Sequence, residues 1–325
     1  MTRRFQDVDL SRLPPPAVET LDYEAIFAAR IAEFKARWEE VRTRYPTLPP
    51  FDVEMLETDP VVIVEQADSY HEMLMRGRVN DAVRAVLLAT SWGATLDHLG
   101  SRVGTVRFDG EADEPFRRRI QIAYEALSTA GPYGAYVWHT LSAYPGIKDA
   151  VAYGPEEAFV SPGEAWVSVL SDAGNGTPSL AMLHAVAERL GAWEIRPAGG
   201  SPINVWDREN ATAQRARPLT DKVIVAAAQI VPYQIKGTLF IRPGPDRNVV
   251  FQEAVSRINA MALDRHRIGS AVPISLILSA AHAVDTTGRS EIEEVEIETP
   301  ANDVGGVAHI APWCTGIELE IGTPT

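Results

Sequence analysis

The sequence predicts a multidomain α+β protein, with an N-terminal helical region followed by two α+β domains. Three observations lead to this prediction. The chain of 325 residues is too long for one ordinary hydrophobic core. Its apolar periodicity is helical from Asp22 to about Gly100. Beyond that point, strand patterns and helix patterns are mixed within each of two stretches. We therefore place the domains at residues 1–105, 106–222 and 223–325.

The first helix is predicted to begin at about Asp22, after a run of prolines at 14–16 that holds the backbone extended. Its apolar residues are spaced 4, 3, 4, 3 and 4 positions apart, a narrower stripe than an ordinary core helix carries. These residues, called the N-terminal seam below, are Phe27, Ile31, Phe34, Trp38, Val41 and Tyr45. The spacing predicts packing against helices of other subunits, although a helix packed on its own domain would use the same residues.

A second helix is predicted to begin at Pro60, because Asp59 can cap it and proline is favoured at the first helical position. Its apolar pattern runs through Ile63, Ala67, Tyr70 and Leu74. The helical pattern continues to about Ala89, and Gly93 is a candidate stop.

The middle domain is predicted from a β-β-α order. Strand patterns occupy 149–153 and 165–170, and a helix opened by Pro178 ends at Gly191. The stretch 192–217 has little periodicity and many turn formers. It predicts a long exposed loop, with an insertion near 195–215.

The last domain is predicted to be a second mixture of strands and helices. Strand patterns begin at Asp221, helix patterns cover 248–266 and about 273–283, and strict alternation returns at 294–298 and 316–322. Acidic positions on the alternating strands are Glu296, Glu298, Glu318 and Glu320. Such residues guard a sheet edge against unwanted strand pairing.

Charge and composition exclude several classes of partner. A formal charge of −14 argues against unaided binding to nucleic acid, which depends on clustered Lys and Arg. The arginines at 117–119 are a local exception, interpreted as a solvated face or as salt-bridge partners.

The longest apolar run, 223–228, is too short to span a membrane, and the start has no apolar segment typical of a signal peptide. The single cysteine, Cys314, fits assembly in a reducing cytoplasm.

No catalytic, cofactor or metal site is predicted. His71 and Glu72 begin like a zinc helix, but Met75 stands where the second histidine ligand would be. Phosphate-binding glycine motifs and a GxSxG nucleophile motif are absent from the sequence. Asp97 and His98 are adjacent on a helix and point about 100° apart. A pair of carboxylates could still converge in space, as in a glycosidase, and this alternative stays open.

Over nearly its whole length, the chain resembles a known family, the baseplate J proteins of contractile phage tails. The resemblance is carried by eight blocks in the same order and at similar spacing. They are LPPPAVETLDYEAIFAAR (13–30), RGRVNDAVRAVLLATSWGATLDHLGSRVGTVR (76–107), EPFRRRIQIAYEALSTAGPYGAYVWH (114–139), VSVLSDAGNGTPS (167–179), RPLTDKVIV (217–225), LFIRPGP (239–245), HRIGSAVPIS (266–275) and WCTGIELEIG (313–322). The segment near 195–215 departs from the family pattern.

The resemblance implies a structural protein and not an enzyme. It implies assembly in the host cytoplasm into the virion tail baseplate. The implied partners are other copies of the chain, an I-like protein joined through a helical core bundle, and a small W-like wedge protein. Contact with the hub, spike and sheath would be indirect. The implied role is a wedge in a ring that opens when sheath contraction is triggered. The alternative is a tail-associated hydrolase acting on cell-wall or capsule polymers.

Overall fold

A computed structural model describes residues 9–14, 16, 18–51, 58–128, 131–206, 216–218, 220–242, 246–282 and 291–322. The chain divides into two compact units, of which the first ends at Arg102 and the second begins at Val103. The described residues form eight α-helices and ten strands, with helices leading and mixed sheets following. The predicted α+β class is therefore confirmed, while the finer boundaries at 105 and 222 stay predictions.

The first unit is helical. After a short 3-10 turn at Leu10–Arg12 it contains α1 (Tyr23–Arg44), α2 (Pro60–Val86) and α3 (Gly93–Ser101). The Asp22 side chain accepts a hydrogen bond from Ala25 N–H, and Asp59 accepts one from Val61 N–H. Both caps satisfy amides that have no partner inside the helix. Gly93 does not end α2: the chain leaves the helix at Leu87, and Gly93, with φ of 53°, begins α3.

The second unit opens with helices and a five-stranded sheet. The helices are α4 (Asp113–Ile122), α5 (Tyr133–Leu141) and α6 (Leu180–Leu190), with a 3-10 segment at Ala123–Leu127. The strands are β1 (Ile147–Tyr153), β2 (Glu164–Ser171), β3 (Glu194–Arg196), β4 (Ile203–Asn204) and β5 (Lys222–Ala227). Their order in the sheet is β1-β2-β5-β3-β4. Apolar side chains of α5 and α6 bury one face of this sheet.

The prediction of an exposed loop after Gly191 is wrong for the part that the structure describes. Strand β3 pairs in parallel with β5, and Ile195 at its centre is fully buried in the core. The Trp193 and Trp206 rings stack with centroids 4.7 Å apart. Three residues are too short a run to show periodicity, so only the pairing with β5 reveals this strand. Residues 207–215 of the predicted insertion lie outside the described residues.

A three-stranded sheet dominates the C-terminal part. The elements are β6 (Gln229–Ile241), α7 (Arg247–Arg265), β7 (Ala271–Val272), α8 (Ile274–Ala281), β8 (Ile292–Thr299), β9 (Val304–Gly305) and β10 (Ile310–Gly322). The central strand β6 pairs in parallel with β10 and antiparallel with β8. Alternate residues of β6, such as Ile235 and Leu239, are fully buried against α7 and α8.

The arginines of α4 are salt-bridge partners and not a solvated face. Arg117 and Arg119 are buried, and Arg117 pairs with Glu114. Arg119 Nε donates to Glu111 at 2.9 Å, and its guanidinium lies 4.4 Å from the Phe108 ring centre. The guanidinium groups of Arg117 and Arg119 are therefore neutralised inside the protein, as the salt-bridge alternative of the sequence analysis predicts.

The two sheets of the second unit are joined without a loop. Only Ala228 separates β5 from β6. Its N–H donates to Val169 O at 2.9 Å, and the next amide, Gln229 N–H, donates to His309 O at 2.9 Å. The backbone therefore passes directly from β5, which pairs with β2, into β6 of the C-terminal part.

Asp149 in β1 ties three elements together. It is fully buried, with 0% of its surface exposed. Its Oδ1 accepts a hydrogen bond from Arg118 at 2.9 Å, and its Oδ2 accepts one from Ile268 N–H at 3.0 Å. The carboxylate thus links α4, β1 and the segment after α7.

His309 is a second link, with a left-handed φ of 67°. Its Nδ1 lies 2.6 Å from Ser168 Oγ, and its backbone N–H donates to the Tyr153 hydroxyl at 2.8 Å. Burial lowers the pKa of His309, and the charge of Arg196 lowers it further. Burial also lowers the pKa of His266, whose Nδ1 lies 2.7 Å from Pro312 O.

We expect these histidines to make the second unit sensitive to acid. Burial lowers the pKa of His139 to about 4, below the ordinary value of 6.5, and the pKa values of His266 and His309 move in the same direction. The unfolded chain then binds more protons than the folded chain below about pH 6.5. The free energy of unfolding should therefore fall as the pH drops from about 6.5 toward about 4.

Urea denaturation at several pH values across that window measures the effect. The variant His309→Gln should show a shallower pH dependence than the parent, whereas His184→Gln, at an exposed position on α6, should keep the parent's slope. Equal slopes in the two variants would show that His309 contributes nothing to the acid sensitivity.

No helix in the described part of the chain combines the length and the apolar content needed to cross a membrane.

Candidate functional site

The first unit is built on an antiparallel hairpin of α1 and α2. Just before α1, Glu19 N–H donates to Asn80 Oδ1 at 2.7 Å, and Asn80 Nδ2 donates back to Glu19 O at 2.8 Å. Asn80 is buried near the end of α2. Farther along α1, Arg30 reaches the first half of α2. These two points of contact show that the helices run in opposite directions and fix their register.

A row of charges lines one edge of this hairpin. Arg30 contacts Glu65 at 2.8 Å, Asp68 at 3.1 Å and Glu72 at 3.3 Å. Arg76 also contacts Glu72, at 2.6 Å. Hydrogen bonds from Arg76 and then Arg30 hold the pKa of Glu72 below its ordinary value. Three carboxylates thus share two guanidinium groups along this edge.

The N-terminal seam is partly covered by its own unit. Ile31 is 4% exposed, and the Phe34 ring packs edge-on against Phe51 with centroids 5.0 Å apart. Phe27 is half-buried, and Trp38 Nε1 donates to the carbonyl of Pro49 at 3.1 Å. Only the end of the seam is open, because Val41 and Tyr45 are exposed. The contacts of the seam with other subunits stay a prediction.

The outward side of α2 carries a large apolar surface. Its large exposed side chains are Ile63, Val64, Tyr70, Leu74, Met75, Val79 and Val86. We call this set the α2 outer face. Leu74 is 47% exposed and Met75 63%. More than half of the large apolar side chains exposed in the described chain belong to the first unit, although that unit supplies less than a third of the described residues. A patch of this kind is typical of an interface.

The sequence predicts three residues of this face, Ile63, Tyr70 and Leu74, but not its direction. The apolar pattern of Ile63, Ala67, Tyr70 and Leu74 predicts a helix, and an apolar stripe of this kind normally faces a core. The structure places these residues in solvent and turns Val62, Ser69 and Asn80 inward. Periodicity shows that residues share a face but not which way the face points. The sequence contained one signal of the direction. The acidic residues Glu65, Asp68 and Glu72 form a polar row on α2 that could pair with Arg30.

The four acidic residues singled out in the sequence, Glu296, Glu298, Glu318 and Glu320, are all exposed. Glu296 and Glu320 flank Thr238 from the two neighbouring strands, and Lys236 Nζ lies 2.6 Å from Glu318. This ion pair holds the pKa of Glu318 below its ordinary value. Glu298 lies at an irregularity in the pairing of β8 with β6. The sheet therefore shows an acidic face to solvent, opposite the face that α7 and α8 cover.

A cleft of about 650 Å³ in the second unit is lined by four carboxylates, those of Asp109, Glu111, Glu114 and Asp172. Two of them are held in ion pairs, Glu111 with Arg119 and Glu114 with Arg117. Among the described residues, no group of His, Cys, Asp and Glu side chains could hold a metal ion.

Comparisons with known proteins agree with the resemblance in the sequence. Residues 57–109 match the family described as Baseplate J-like N-terminal domain, and residues 128–227 match the family described as Baseplate J-like central domain. The chain is also similar to Baseplate protein J of Escherichia phage P2. The two are 31% identical over 335 aligned residues, which span 97% of this chain and 98% of the relative.

Proposed function

The chain belongs to the baseplate J protein family, and from this membership we propose that it is a structural wedge protein of a contractile tail baseplate. In this proposal it acts through its interfaces and catalyses no reaction. It is assembled in the host cytoplasm and resides in the tail baseplate of the virion.

The α2 outer face is the observation that best supports an assembly role. Exposed apolar surface costs roughly 25 cal/mol per Å² relative to burial, so a cluster of large apolar side chains favours a partner that covers it. An isolated enzyme has no need of such a face, whereas a wedge protein needs helices that are completed by other chains.

The proposed partners follow the family resemblance and the position of the open surfaces. We assign the helical region, 1–105, to a core bundle with another copy and an I-like protein. The N-terminal seam contributes there through its open end, Val41 and Tyr45. The middle domain, 106–222, connects the bundle to the C-terminal domain, 223–325. The W-like protein is a further neighbour, and contact with the hub, spike and sheath is indirect.

Imaging of assembled tails tests this proposal. Particles that lack the chain should form sheath and tube without a complete baseplate, and supplying the chain in trans should restore it. A side-chain-resolution map should then place this chain in the ring around the hub. Normal baseplates without the chain would refute the proposed function.

We further propose that the acidic face of the C-terminal sheet makes a contact that yields when the tail fires. A reversible contact should be small and polar, because a large apolar interface is too stable to separate on a trigger. Two copies of this acidic face would repel each other, so the neighbouring surface must carry positive charge.

Reversing two of these charges should change ring closure but not wedge formation. We expect the variant Glu296→Lys with Glu298→Lys to lower the salt concentration or the stimulus at which baseplates open, because it removes attraction to a basic neighbour. The opening of purified tails, counted in electron micrographs along a salt series, measures this. The variant Glu188→Lys, at an exposed position on α6, is the matched control. An unchanged threshold in the double variant would contradict the assignment.

A further inference from the structure

The long strand β10 forms one edge of the C-terminal sheet. It pairs with β6 from its first residue to its last, and no strand in the described ranges lies on its other side. The start of that other side is closed, because Gly269 N–H donates to Ile310 O at 2.7 Å and His266 Nδ1 lies 2.7 Å from Pro312 O. The later residues, 316–322, are called the β10 edge below.

The opposite edge of the sheet, β8, has features that block strand pairing. Its register with β6 shifts at two places, where Glu293 and Glu298 are the extra residues. Such bulges bend a strand and protect an edge from a further strand. The β10 edge keeps an unbroken register with β6 from Gly316 to Gly322. Of the two edges of this sheet, β10 is therefore the one that offers a regular template for another strand.

The backbone of the β10 edge has hydrogen-bonding groups to spare. In a strand, the N–H and C=O groups of every second residue point to the same side. Within the described chain, the backbone groups of 317–322 bond only to β6. The groups that point away from β6 can therefore pair with an added strand, as sheet edges do when they bind extended peptides.

The apolar side chains of the β10 edge are incompletely covered. Ile317 lies level with Ile235 of β6, and Ile321 lies level with Leu239. Both β6 residues are fully buried, whereas Ile317 is half-buried and Ile321 is 37% exposed. The core under the sheet thus thins toward this edge. A further strand with apolar residues at alternate positions would extend the same core over Ile317 and Ile321.

The opposite face of the β10 edge is acidic. Lys236 pairs with Glu318 at 2.6 Å, but among the described residues no Lys or Arg side chain pairs with Glu320. A second copy of β10 alongside would bring like charges together, which is unfavourable. A strand with Lys or Arg at alternate positions would instead place a positive charge beside Glu320. The edge therefore disfavours its own copy and favours a basic strand.

We propose that the β10 edge accepts an extended, basic segment of another tail protein as a fourth strand of the C-terminal sheet. The segment alternates apolar residues, which cover Ile317 and Ile321, with Lys or Arg residues beside Glu320. Such a contact is small and polar, as a contact that separates on triggering must be. This inference rests on the proposed function, in which the C-terminal sheet contacts a neighbour, and names the element that the neighbour supplies.

A synthetic peptide that alternates Lys and Val, KVKVKVKVK, is the probe for this edge. We expect it to bind the purified chain, as measured by the fluorescence anisotropy of the labelled peptide. The peptide KKKKKVVVV should bind at least about tenfold more weakly, because it has the same charge without the alternation. The alternating peptide N-methylated at every residue should not bind, since it has no backbone N–H to donate. Equal binding of the three peptides would overturn the proposal, because charge alone would explain it.

Two charge reversals on the same face of the sheet locate the site. Glu320→Lys should weaken binding of the alternating peptide roughly tenfold, because attraction becomes repulsion. Glu296→Lys is the matched control, since Glu296 and Glu320 are both exposed and flank Thr238 from opposite sides. A strand beside β10 lies about 14 Å from β8, beyond the Debye length of about 8 Å, so this control should bind like the parent. An equal loss in the two variants would contradict the assignment to β10.

Hydrogen exchange shows which edge is used. When the alternating peptide is bound, the amides of 316–322 should exchange more slowly, while those of 292–299 keep the rate of the free chain. Slower exchange at 292–299 instead, or in neither strand, would overturn the proposal. If exchange at 316–322 slows without peptide as the chain concentration rises, a second copy occupies the edge, and the basic strand is again excluded.

The outcomes separate this inference from the proposed function. If the alternating peptide fails to bind while particles that lack the chain still form no complete baseplate, the β10 edge is not a strand acceptor and the proposed function stands. If the peptide binds as described but normal baseplates form without the chain, the strand acceptor is supported and the proposed function fails.

Discussion

Replacing Met75 by aspartate is expected to abolish baseplate assembly while the chain itself stays folded. Met75 is 63% exposed on the α2 outer face, so a carboxylate there is solvated in the isolated chain and costs little. In an assembled helix bundle the same carboxylate would be buried without a partner, at a cost of several kcal/mol. Complementation of particles that lack the chain, scored as tails with complete baseplates, measures the effect.

A matched control is available in the second unit. Val249 on α7 is also 63% exposed, so Val249→Asp introduces the same carboxylate at the same exposure outside the α2 outer face. We expect this variant to assemble normally. Both purified variants should unfold in urea at nearly the parent's midpoint. Normal tails from Met75→Asp would show that the exposed face has no role in assembly.

Replacing Asp149 by alanine is expected to cause the largest loss of stability of any single change considered. The carboxylate is fully buried and accepts hydrogen bonds from Arg118 and from Ile268 N–H. Its removal leaves a guanidinium and a buried amide without these partners. Breaking a buried ion pair from one side costs about 3 to 5 kcal/mol. The free energy of unfolding, measured in urea at neutral pH, should fall by that amount.

The control for this prediction is an exposed ion pair. Asp264 contacts Arg267 at 2.9 Å, but its side chain is 61% exposed. Asp264→Ala should change the free energy of unfolding by less than about 1 kcal/mol, because water screens the pair. If Asp149→Ala is no more harmful than Asp264→Ala, the buried carboxylate does not hold the elements of the second unit together.

Local chemistry in the sequence was sufficient to locate most elements. Asp59 followed by Pro60 marked the start of α2, and Gly191, with φ of 61°, ended α6 as expected. Alternation at 294–298 and 316–322 marked strands that the structure extends into β8 and β10. These signals depend on neighbours within a few residues, which is why they can be read without the fold.

The sequence by itself determined the fold class, the family and the existence of apolar rows on the first two helices. Tertiary structure alone decided where those rows point and which polar groups meet. Arg30 lies far in sequence from Glu65 and Glu72, and only the antiparallel hairpin brings them together. Strand β3 likewise exists because β5 offers it hydrogen bonds. The physical reason is the same in each case: periodicity fixes which residues share a face, whereas pairing energies between distant segments decide what that face contacts.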